Sequence, residues 1–504
     1  MSGQFNHEET TSMIEGPFED QSSLKDKKIK EFTPNMPNVR TCINTLICTS
    51  IPSILYCFTS FLLWTINFYF VSKTGNSTLI EAIGLGNTWL NISTMAVIVA
   101  LNSGTNVFIS QAYGAKNRPL IITYFYKALI LRLLNVLPCL IFILSSYHFF
   151  ILCGVEETIA EQAFVYCISS IGLVIATAFQ DTLKSYILGQ NIFTPVLIIQ
   201  LIVSTTHFFW CKLFIADLSL GVKGVAFALT CSQILTATLM LAYIAFNSQL
   251  SEGFFSPTKE CTKGLLTHVK NEAFVGAFCY LEWTARELCT LMAGSFLQYE
   301  IASLVITNNM MNMMYMIPIG VNVCLTIYAG KSFGENNAFI AKLFMKAAII
   351  LDVTLILIEI TIMFNIQVPL IQFYDSRPEV LAETIKLFAI YLVVFPADFL
   401  QGTMTAILKG AGLEKAGSRI YLFSYYVVAL PLAFVLGLVL KFHGPGIWIG
   451  LGAGIYSMLI LSSTMVYRTD FKKQAAMIYS KMNERPNETP SNFNTFSSEA
   501  DTSL

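Results

Sequence analysis

Three carboxylic acids interrupt long apolar stretches of this 504-residue sequence. Glu282 and Glu287 lie five residues apart in the segment LEWTAREL, and Asp398 lies in the segment VVFPADFLQ. A charged side chain in the middle of a membrane costs about 2.5–3.5 kcal/mol on insertion scales, so such groups usually face a cavity and carry function. The three acids are therefore the candidate proton-binding and substrate-binding residues.

Two of these acids also have a structural interpretation. Arg286 lies four residues after Glu282 on the same helical face, so the two side chains could simply neutralise each other as an ion pair. Asp398 follows Pro396, a residue type that kinks or breaks helices, and could cap a helix that begins after the break. The sequence leaves both alternatives open.

A run of amide, methionine and tyrosine side chains, TNNMMNMMYM, begins at Thr307. Methionines adapt to irregular apolar surfaces, so helix packing alone accounts for them. Buried amides need hydrogen-bond partners and suit the wall of a polar cavity. The candidate residues of a substrate cavity are Trp283, Asn308, Asn309, Asn312 and Tyr315.

The composition excludes most soluble classes of protein. Hydrophobic residues make up 54% of the chain and charged residues 12%, against about 25% charged in soluble domains. The net charge of -1 offers no basic surface for nucleic acid. The histidines are dispersed and the cysteines lack metal-ligand spacing, so neither a metal, a cofactor nor enzymatic catalysis is expected. The sequence also has no phosphate-binding GxxxxGK[ST] motif, so no ATPase activity is expected.

Apolar segments of about 20 residues, the length that crosses a membrane as a helix, recur twelve times. A polar segment at 247–267 divides them six and six. The sequence thus predicts an all-α membrane protein with an amino-terminal lobe at 44–246, a cytoplasmic linker at 247–267 and a carboxy-terminal lobe at 268–468. Residues 1–43 are predicted to be a polar cytoplasmic tail and residues 469–504 a disordered cytoplasmic tail.

Basic residues predict the orientation, because Lys and Arg in short loops stay on the cytoplasmic side. One set of helix ends collects most of them, including Lys116, Arg118, Lys331 and Lys415. Both termini are therefore predicted to be cytoplasmic. The sequon at Asn76 falls on the opposite side, where its glycosylation stays open.

A faint internal repeat relates the two halves at a constant offset of 220 residues. The segment YGAKN around Gly114 corresponds to FGENN around Gly334, and the pair Ile187 and Leu188 corresponds to Ile407 and Leu408. A constant offset favours duplication over the chance recurrence of helix caps. With six spans per repeat, the two halves have the same orientation and are expected to enclose a central cavity.

Four segments in order carry a family resemblance: LNSGTNVFISQAYGAKNRP at 101–119, PIG to FGENN at 318–337, ILKGAG at 407–412 and YYVVALP at 425–431. Together they resemble the multidrug and toxic compound extrusion (MATE) family of transporters, in its eukaryotic form. The resemblance implies twelve transmembrane helices in two pseudo-symmetric six-helix lobes around a central cavity. It also implies a secondary antiporter that exports organic solutes or xenobiotics, in particular organic cations, in exchange for protons by alternating access.

Glu282, Glu287 and Asp398 match the acidic positions of that family on its seventh and tenth helices. Asn67 stands where many prokaryotic members carry Asp, and Asn309 stands where animal members carry Glu. A neutral amide cannot exchange protons. The resemblance therefore implies one coupled site in the carboxy-terminal lobe, with the proton as coupling ion and sodium as the alternative.

Two other functions remain as alternatives. A flippase for lipid-linked precursors, from the same fold superfamily, would need a cationic cavity for pyrophosphate, whereas the apolar segments hold few cations beyond Arg132, Lys184 and Arg286. A multi-spanning membrane enzyme would need clustered His, Asp or Ser side chains.

The leading prediction is a monomer in the plasma membrane or in a vacuolar or other endomembrane. Its partners are a small organic solute, the coupling ion and the lipid bilayer.

The predicted topology is testable by labelling single cysteines in a variant from which the native cysteines have been removed. Gly75→Cys is expected to react only with a membrane-impermeant maleimide applied from outside, and Phe255→Cys only after the membrane is opened, because an odd number of spans separates them. Reaction of both positions from the same side would contradict the six-plus-six arrangement.

Overall fold

The computed structural model describes residues 38–292 and 296–483, and nearly all of these residues are helical. The predictions for residues 1–37 and 484–504 lie outside the described residues. Within the described ranges, ten helices are long and apolar enough to cross a membrane, and one bent pair of helices meets the same criteria together.

The amino-terminal half contains helices α1 to α6. Their bounds are Val39–Ser72 for α1, Thr78–Gly114 for α2, Arg118–Leu152 for α3, Glu157–Ser169 with Ile171–Leu188 for α4, Thr194–Asp217 for α5 and Val222–Phe246 for α6. The two segments of α4 meet at an angle of 42°. The carboxy-terminal half contains α7 to α12, at Leu265–Met292, Gln298–Gly334, Ala338–Tyr374, Pro378–Gly410, Glu414–Val439 and His443–Arg468.

Helix α7 is not among the ten apolar helices because it contains several charged residues. Its 28 residues give a length of about 42 Å, which is enough to cross a hydrocarbon core of about 30 Å. It carries five charged side chains, at Lys270, Glu272, Glu282, Arg286 and Glu287. With α7 and the bent α4 added to the ten apolar helices, the twelve-helix prediction is confirmed.

Between the two halves, residues 247–264 hold only a short helix at Ser248–Ser251 and a 3-10 turn at Lys259–Thr262. Helix α1 begins at Val39, five residues before the predicted start of the first lobe. The exact boundaries of the two lobes stay a prediction.

The prediction of a disordered tail from residue 469 is wrong for the segment Phe471–Asn483, which forms a further helix, α13. Its buried residues are Phe471, Ala475, Ile478 and Met482, which recur at helical spacing on one face. This face packs against α8, α9 and α2. The polar composition of the tail concealed the periodicity, because three or four apolar residues are enough to dock one helical face.

The same turn occurs at the ends of α2 and α8, in agreement with the internal repeat. Lys116 and Asn336 both have a left-handed backbone, with φ of 56° and 55°. Asn117 then accepts a hydrogen bond from the Leu120 amide at 3.2 Å, and Asn337 accepts one from Ile340 at 3.1 Å. Equivalent positions 220 residues apart thus have equivalent backbone conformations.

A reciprocal close contact joins these two helix ends. A Cβ atom added to Gly114 of α2 would lie 2.1 Å from the carbonyl oxygen of Lys331 in α8, and one added to Gly334 would lie 2.0 Å from that of Gln111. Position 331 follows 111 by the repeat offset of 220, so the contact has the symmetry of the duplication. Only glycine permits this approach of the two backbones.

A buried ion pair also joins the two halves. Arg132 of α3 contacts Glu272 of α7 at 2.8 Å, and both side chains are fully buried. Thr105 of α2 accepts a hydrogen bond from Arg132 at 2.7 Å and donates one to Glu272 at 2.7 Å. Asn102 accepts a further hydrogen bond from Arg132 at 3.2 Å. A buried charge pair of this kind persists only with such additional hydrogen bonds.

The close contact of α2 with α8 predicts that Gly114→Ala and Gly334→Ala each destabilise the protein, by about 1–3 kcal/mol, because the added methyl group meets a carbonyl oxygen. Thermal unfolding of the detergent-purified variants measures this. Gly84→Ala is the matched control, since a Cβ there meets no atom within 4 Å. Equal unfolding temperatures for all three variants would contradict the close approach.

Candidate functional site

The site begins with a helical pair on α7. Glu282 and Arg286 are four residues apart, so their side chains lie on one face of the helix. The Arg286 guanidinium donates a hydrogen bond from Nη2 to Glu282 Oε1 at 2.9 Å. The ion pair that the sequence offered as an alternative is therefore present.

Asp398 on α10 completes the site. Helix α10 runs from Pro378 to Gly410 and includes Pro396, so Asp398 lies inside a helix and does not cap a new one. Its side chain is fully buried, and its Oδ1 accepts a hydrogen bond from Arg286 Nη2 at 2.8 Å. The second oxygen, Oδ2, has no partner among the described residues.

One guanidinium nitrogen thus serves two carboxylates on two helices. Gln401, one turn after Asp398, strengthens the link, because its amide lies 3.3 Å from Asp398 Oδ1 and 3.4 Å from Glu282 Oε1. When both acids are ionised, the two carboxylates and the one arginine give this cluster a net charge of -1. A proton or an organic cation can compete with Arg286 for that charge.

Tyr315 of α8 is the predicted cavity residue that reaches the cluster. Its hydroxyl donates to Glu282 Oε1 at 3.4 Å, and the Arg286 guanidinium lies 5.5 Å from the centre of its ring. Met311, one turn earlier on α8, accepts a contact from Arg286 Nη1 at 3.4 Å. The tyrosine and the methionine therefore form the α8 side of the site.

The other cavity candidates make no such contact. Asn308 and Asn309 are half-buried and Asn312 is exposed, and no side-chain hydrogen bond of theirs lies within the described part of the chain. Asn308 and Asn312 share the α8 face of Tyr315, because they precede it by seven and three residues. Their role in lining an approach to the site stays a prediction.

Glu287 is not brought into the cluster. It makes no ion pair with any residue that the structure describes, and its side chain approaches the indole of Trp283, four residues earlier. Leu291, four residues later on that face, is 60% exposed. The structure thus joins Glu282 with Asp398 and leaves Glu287 and Trp283 on another face of α7.

Sequence reasoning missed Gln401 and the tyrosine behind it. Tyr421 of α11 is buried, its hydroxyl lies 2.8 Å from Thr405 Oγ1, and it lies 3.5 Å from the side-chain oxygen of Gln401. The available signal was a polar residue in an apolar segment, one helical turn from Asp398. This network orients the Gln401 amide toward the two carboxylates.

The other two cations predicted to lie within the apolar segments are also paired. Arg132 contacts Glu272, as described above, and Lys184 lies 2.5 Å from Asp181 and 3.3 Å from the Tyr56 hydroxyl. These two paired cations therefore give no support to the cationic cavity that a pyrophosphate flippase requires. The described residues also hold no group of three His, Cys, Asp or Glu side chains that could bind a metal ion.

Asn67 of α1 is buried in the amino-terminal half. It stands at the position where the family resemblance implies an Asp in many prokaryotic members. Its side-chain oxygen lies 3.2 Å from the Cys211 sulfur, and its Nδ2 has no partner among the described residues. Cys211 in turn lies 3.3 Å from His207 Nε2. This neutral network agrees with the absence of an ionised acid at that position.

Comparison with known proteins identifies the family. The chain is 26% identical over 442 residues to the protein DETOXIFICATION 13 of Arabidopsis thaliana, which covers 87% of this chain and 92% of the relative. It is 23% identical over 449 residues to multidrug and toxin extrusion protein 1 of Oryctolagus cuniculus, covering 89% of this chain and 79% of the relative.

The fold is similar to that of solved transporters. The structure of the eukaryotic MATE transporter AtDTX14 superposes with a TM-score of 0.84 at 19% sequence identity, covering 88% of this chain and 99% of that chain. Another structure, of a MATE transporter in a bent conformation, superposes with a TM-score of 0.74 at 17% identity over 89% of this chain and 98% of that chain. At such identities, the likeness establishes the two-lobe, twelve-helix fold alone.

The sequence model of the family described as MatE matches residues 52–213 and 277–435, two segments of similar length that fall in the two halves. Together with the sequence relatives, this match covers most of the membrane-spanning part. The chain belongs to the MatE family of multidrug and toxin extrusion transporters.

Proposed function

We propose that this transporter is an antiporter that exports small organic cations in exchange for protons. The observation that supports the proposal is the shared guanidinium of Arg286, which bridges Glu282 and Asp398 across α7 and α10. A site that holds two acids and one arginine keeps one negative charge uncompensated. An organic cation and a proton are the two ligands that would each remove it.

Proton binding at Asp398 weakens the bridge. The unpartnered Oδ2 of this buried carboxylate is the atom open to a proton. Protonation removes the charge of Asp398, so Arg286 then pairs with Glu282 alone. The cluster has lost its net negative charge, and a bound organic cation is released.

Removing the proton reverses these steps. Both acids are then ionised, and a cation from the other side of the membrane is attracted to the site. Because proton and substrate compete, each unit of pH difference across the membrane supplies about 1.4 kcal/mol, a tenfold accumulation for one proton. Competition of this kind yields exchange only if the site opens to one side at a time.

Contacts between the two halves suggest which side is closed. The halves meet where Gly114 and Gly334 pack against the facing helix, and the Gln111 amide donates to the Gly410 carbonyl at 3.1 Å. Lys409 of α10 contacts Ser103 of α2 at 3.0 Å. These contacts lie toward the helix ends rich in Lys and Arg, which are predicted to be cytoplasmic, so they must separate when the site opens to the cytoplasm.

We expect the transporter to act as a monomer, with both termini in the cytoplasm, in the plasma membrane or in a vacuolar or other endomembrane. The partners are then the organic solute, the proton and the surrounding lipid. Sodium as coupling ion is the alternative. Replacing sodium by potassium in the transport assay separates them, since proton exchange continues unchanged without sodium.

The proposal predicts that Asp398→Asn abolishes exchange in vesicles containing the purified protein. Radiolabelled tetraethylammonium serves as the probe, and its uptake against a pH gradient is followed together with dissipation of that gradient. The wild type is expected to couple the two. Asp398→Asn is expected to lower coupled uptake at least about tenfold, because the carboxyl that exchanges the proton is gone.

Glu287→Gln is expected to reduce uptake less than Asp398→Asn does, since Glu287 lies outside the Arg286 cluster. Glu379→Gln, at an exposed acid on the same helix as Asp398, is the control and should behave as wild type. Uptake by Asp398→Asn with the rate and pH dependence of the wild type would contradict the proposal.

A further inference from the structure

Helix α9 carries two more buried acids that neither the sequence analysis nor the proposed exchange uses. Asp352 is fully buried and Glu359 is 6% exposed. They are seven residues apart, which is close to two helical turns, so both project from one face of α9. Neither forms an ion pair with any residue in the part of the chain that the structure describes.

The surroundings of Asp352 are polar and uncharged. The Thr403 hydroxyl of α10 donates a hydrogen bond to its Oδ2, and the same hydroxyl lies 3.4 Å from the side-chain oxygen of Asn322 on α8. The other oxygen, Oδ1, is buried without a hydrogen-bond partner among the described residues. The Thr403 hydroxyl is the one hydrogen-bond donor to this carboxyl among the described residues.

Glu359 is still more isolated. Its Oε1 is buried without a hydrogen-bond partner in the described ranges. The titratable group that faces it is Tyr391 of α10, which is fully buried and whose hydroxyl also lacks a partner. Tyr391 lies within electrostatic range of Asp398 and Arg286 as well as Glu359.

The remaining helices against α9 add no compensating charge. Helix α1 contains one charged residue, Arg40, at its first turn, and α8 faces Asp352 with the neutral Asn322. Helix α13 contacts the start of α9, where Lys342 lies 5.5 Å from the ring centre of Phe471. Both carboxyl groups are thus enclosed by neutral groups.

An ionised carboxylate without a cation or hydrogen-bond donors is strongly disfavoured in such surroundings, so the group takes up a proton instead. This separates the α9 acids from Glu282 and Asp398, which share a guanidinium and can stay ionised. The unpartnered oxygens Asp352 Oδ1 and Glu359 Oε1 are where the protons would reside.

Asp352 and Glu359 lie at levels of the membrane region close to that of Asp398. Thr403, which marks the level of Asp352, follows Asp398 by five residues, about 7.5 Å along α10. Tyr391, which marks the level of Glu359, precedes Asp398 by seven residues, about 10 Å. The two acids therefore flank the exchange site along the membrane normal.

We propose that Asp352 and Glu359 form a second proton-binding site in the carboxy-terminal half, whose charge state acts on the proton exchange at Asp398. A proton lost from either acid leaves a negative charge near Asp398 and so favours the protonated form of Asp398. The coupling role rests on the proposed proton exchange. Proton binding itself does not depend on it.

Infrared titration of the purified protein tests proton binding without any transport. A protonated carboxyl has its own C=O stretching band, which disappears on ionisation. Asp352→Asn and Glu359→Gln are each expected to remove one such band between mildly acidic and alkaline pH. Because Glu359 has no hydrogen bond to lose, Glu359→Gln remains informative if Asp352→Asn fails to fold.

Asp375→Asn is the matched control, an acid that ends α9 outside the membrane span. Hydrogen bonds from the Arg377 side chain lower the pKa of Asp375 below its usual value, so this group stays ionised and its replacement removes no band. If the spectra of Asp352→Asn and Glu359→Gln keep every band of the wild type, the second site does not exist.

The coupling role is tested in vesicles with tetraethylammonium. Asp352→Asn is expected to shift the pH dependence of exchange by about one unit, and Asp352→Glu to restore it, because only a titratable carboxyl carries the proton. An unchanged pH profile in Asp352→Asn would overturn the coupling role. Loss of a band with no coupling in the wild type would instead reject the proposed exchange and retain the proton site.

Discussion

The arrangement of this protein depends on one guanidinium that two carboxylates share. Arg286 donates from a single nitrogen to Glu282 on its own helix and to Asp398 on another, at 2.9 and 2.8 Å. Neither acid could remain ionised in an apolar interior without it, and the arginine would be equally unfavourable alone. The bridge holds α7 and α10 together while keeping one unit of negative charge. The proposed competition between proton and substrate rests on that remaining charge.

The same constraint shapes the rest of the membrane region. Two cations of the apolar segments are compensated by acids within the bilayer, Arg132 by Glu272 and Lys184 by Asp181. The first of these pairs joins α3 to α7 and so ties the two halves, while the second stays within the amino-terminal half. Charge pairing thus serves both as a link between helices and as a condition for placing charges there at all. The acids of α9 form no ion pair with any residue that the structure describes, and their isolation makes them candidates for carrying protons.

Local patterns in the sequence predicted the parts of the structure that depend on neighbouring residues. Segment length gave the twelve spans, helical spacing gave the contact of Glu282 with Arg286, and the offset of 220 residues anticipated equivalent turns at Lys116 and Asn336. The contact of Arg286 with Asp398 joins residues 112 positions apart, and no local pattern encodes it. Helix α13 was missed because composition was weighed over periodicity, and Glu287 was grouped with Glu282 although five residues of helix turn it to another face.

A double-mutant cycle on Arg286 and Asp398 tests the shared bridge most directly, with thermal unfolding of the purified variants as the measurement. Removing Arg286 alone, as Arg286→Met, leaves two carboxylates without their cation and should cost about 3–5 kcal/mol. Adding Asp398→Asn removes one of those charges, so the double variant should be more stable than Arg286→Met, with a coupling energy of about 0.5–3 kcal/mol. Strictly additive effects of the two substitutions would contradict the bridge and the account built on it.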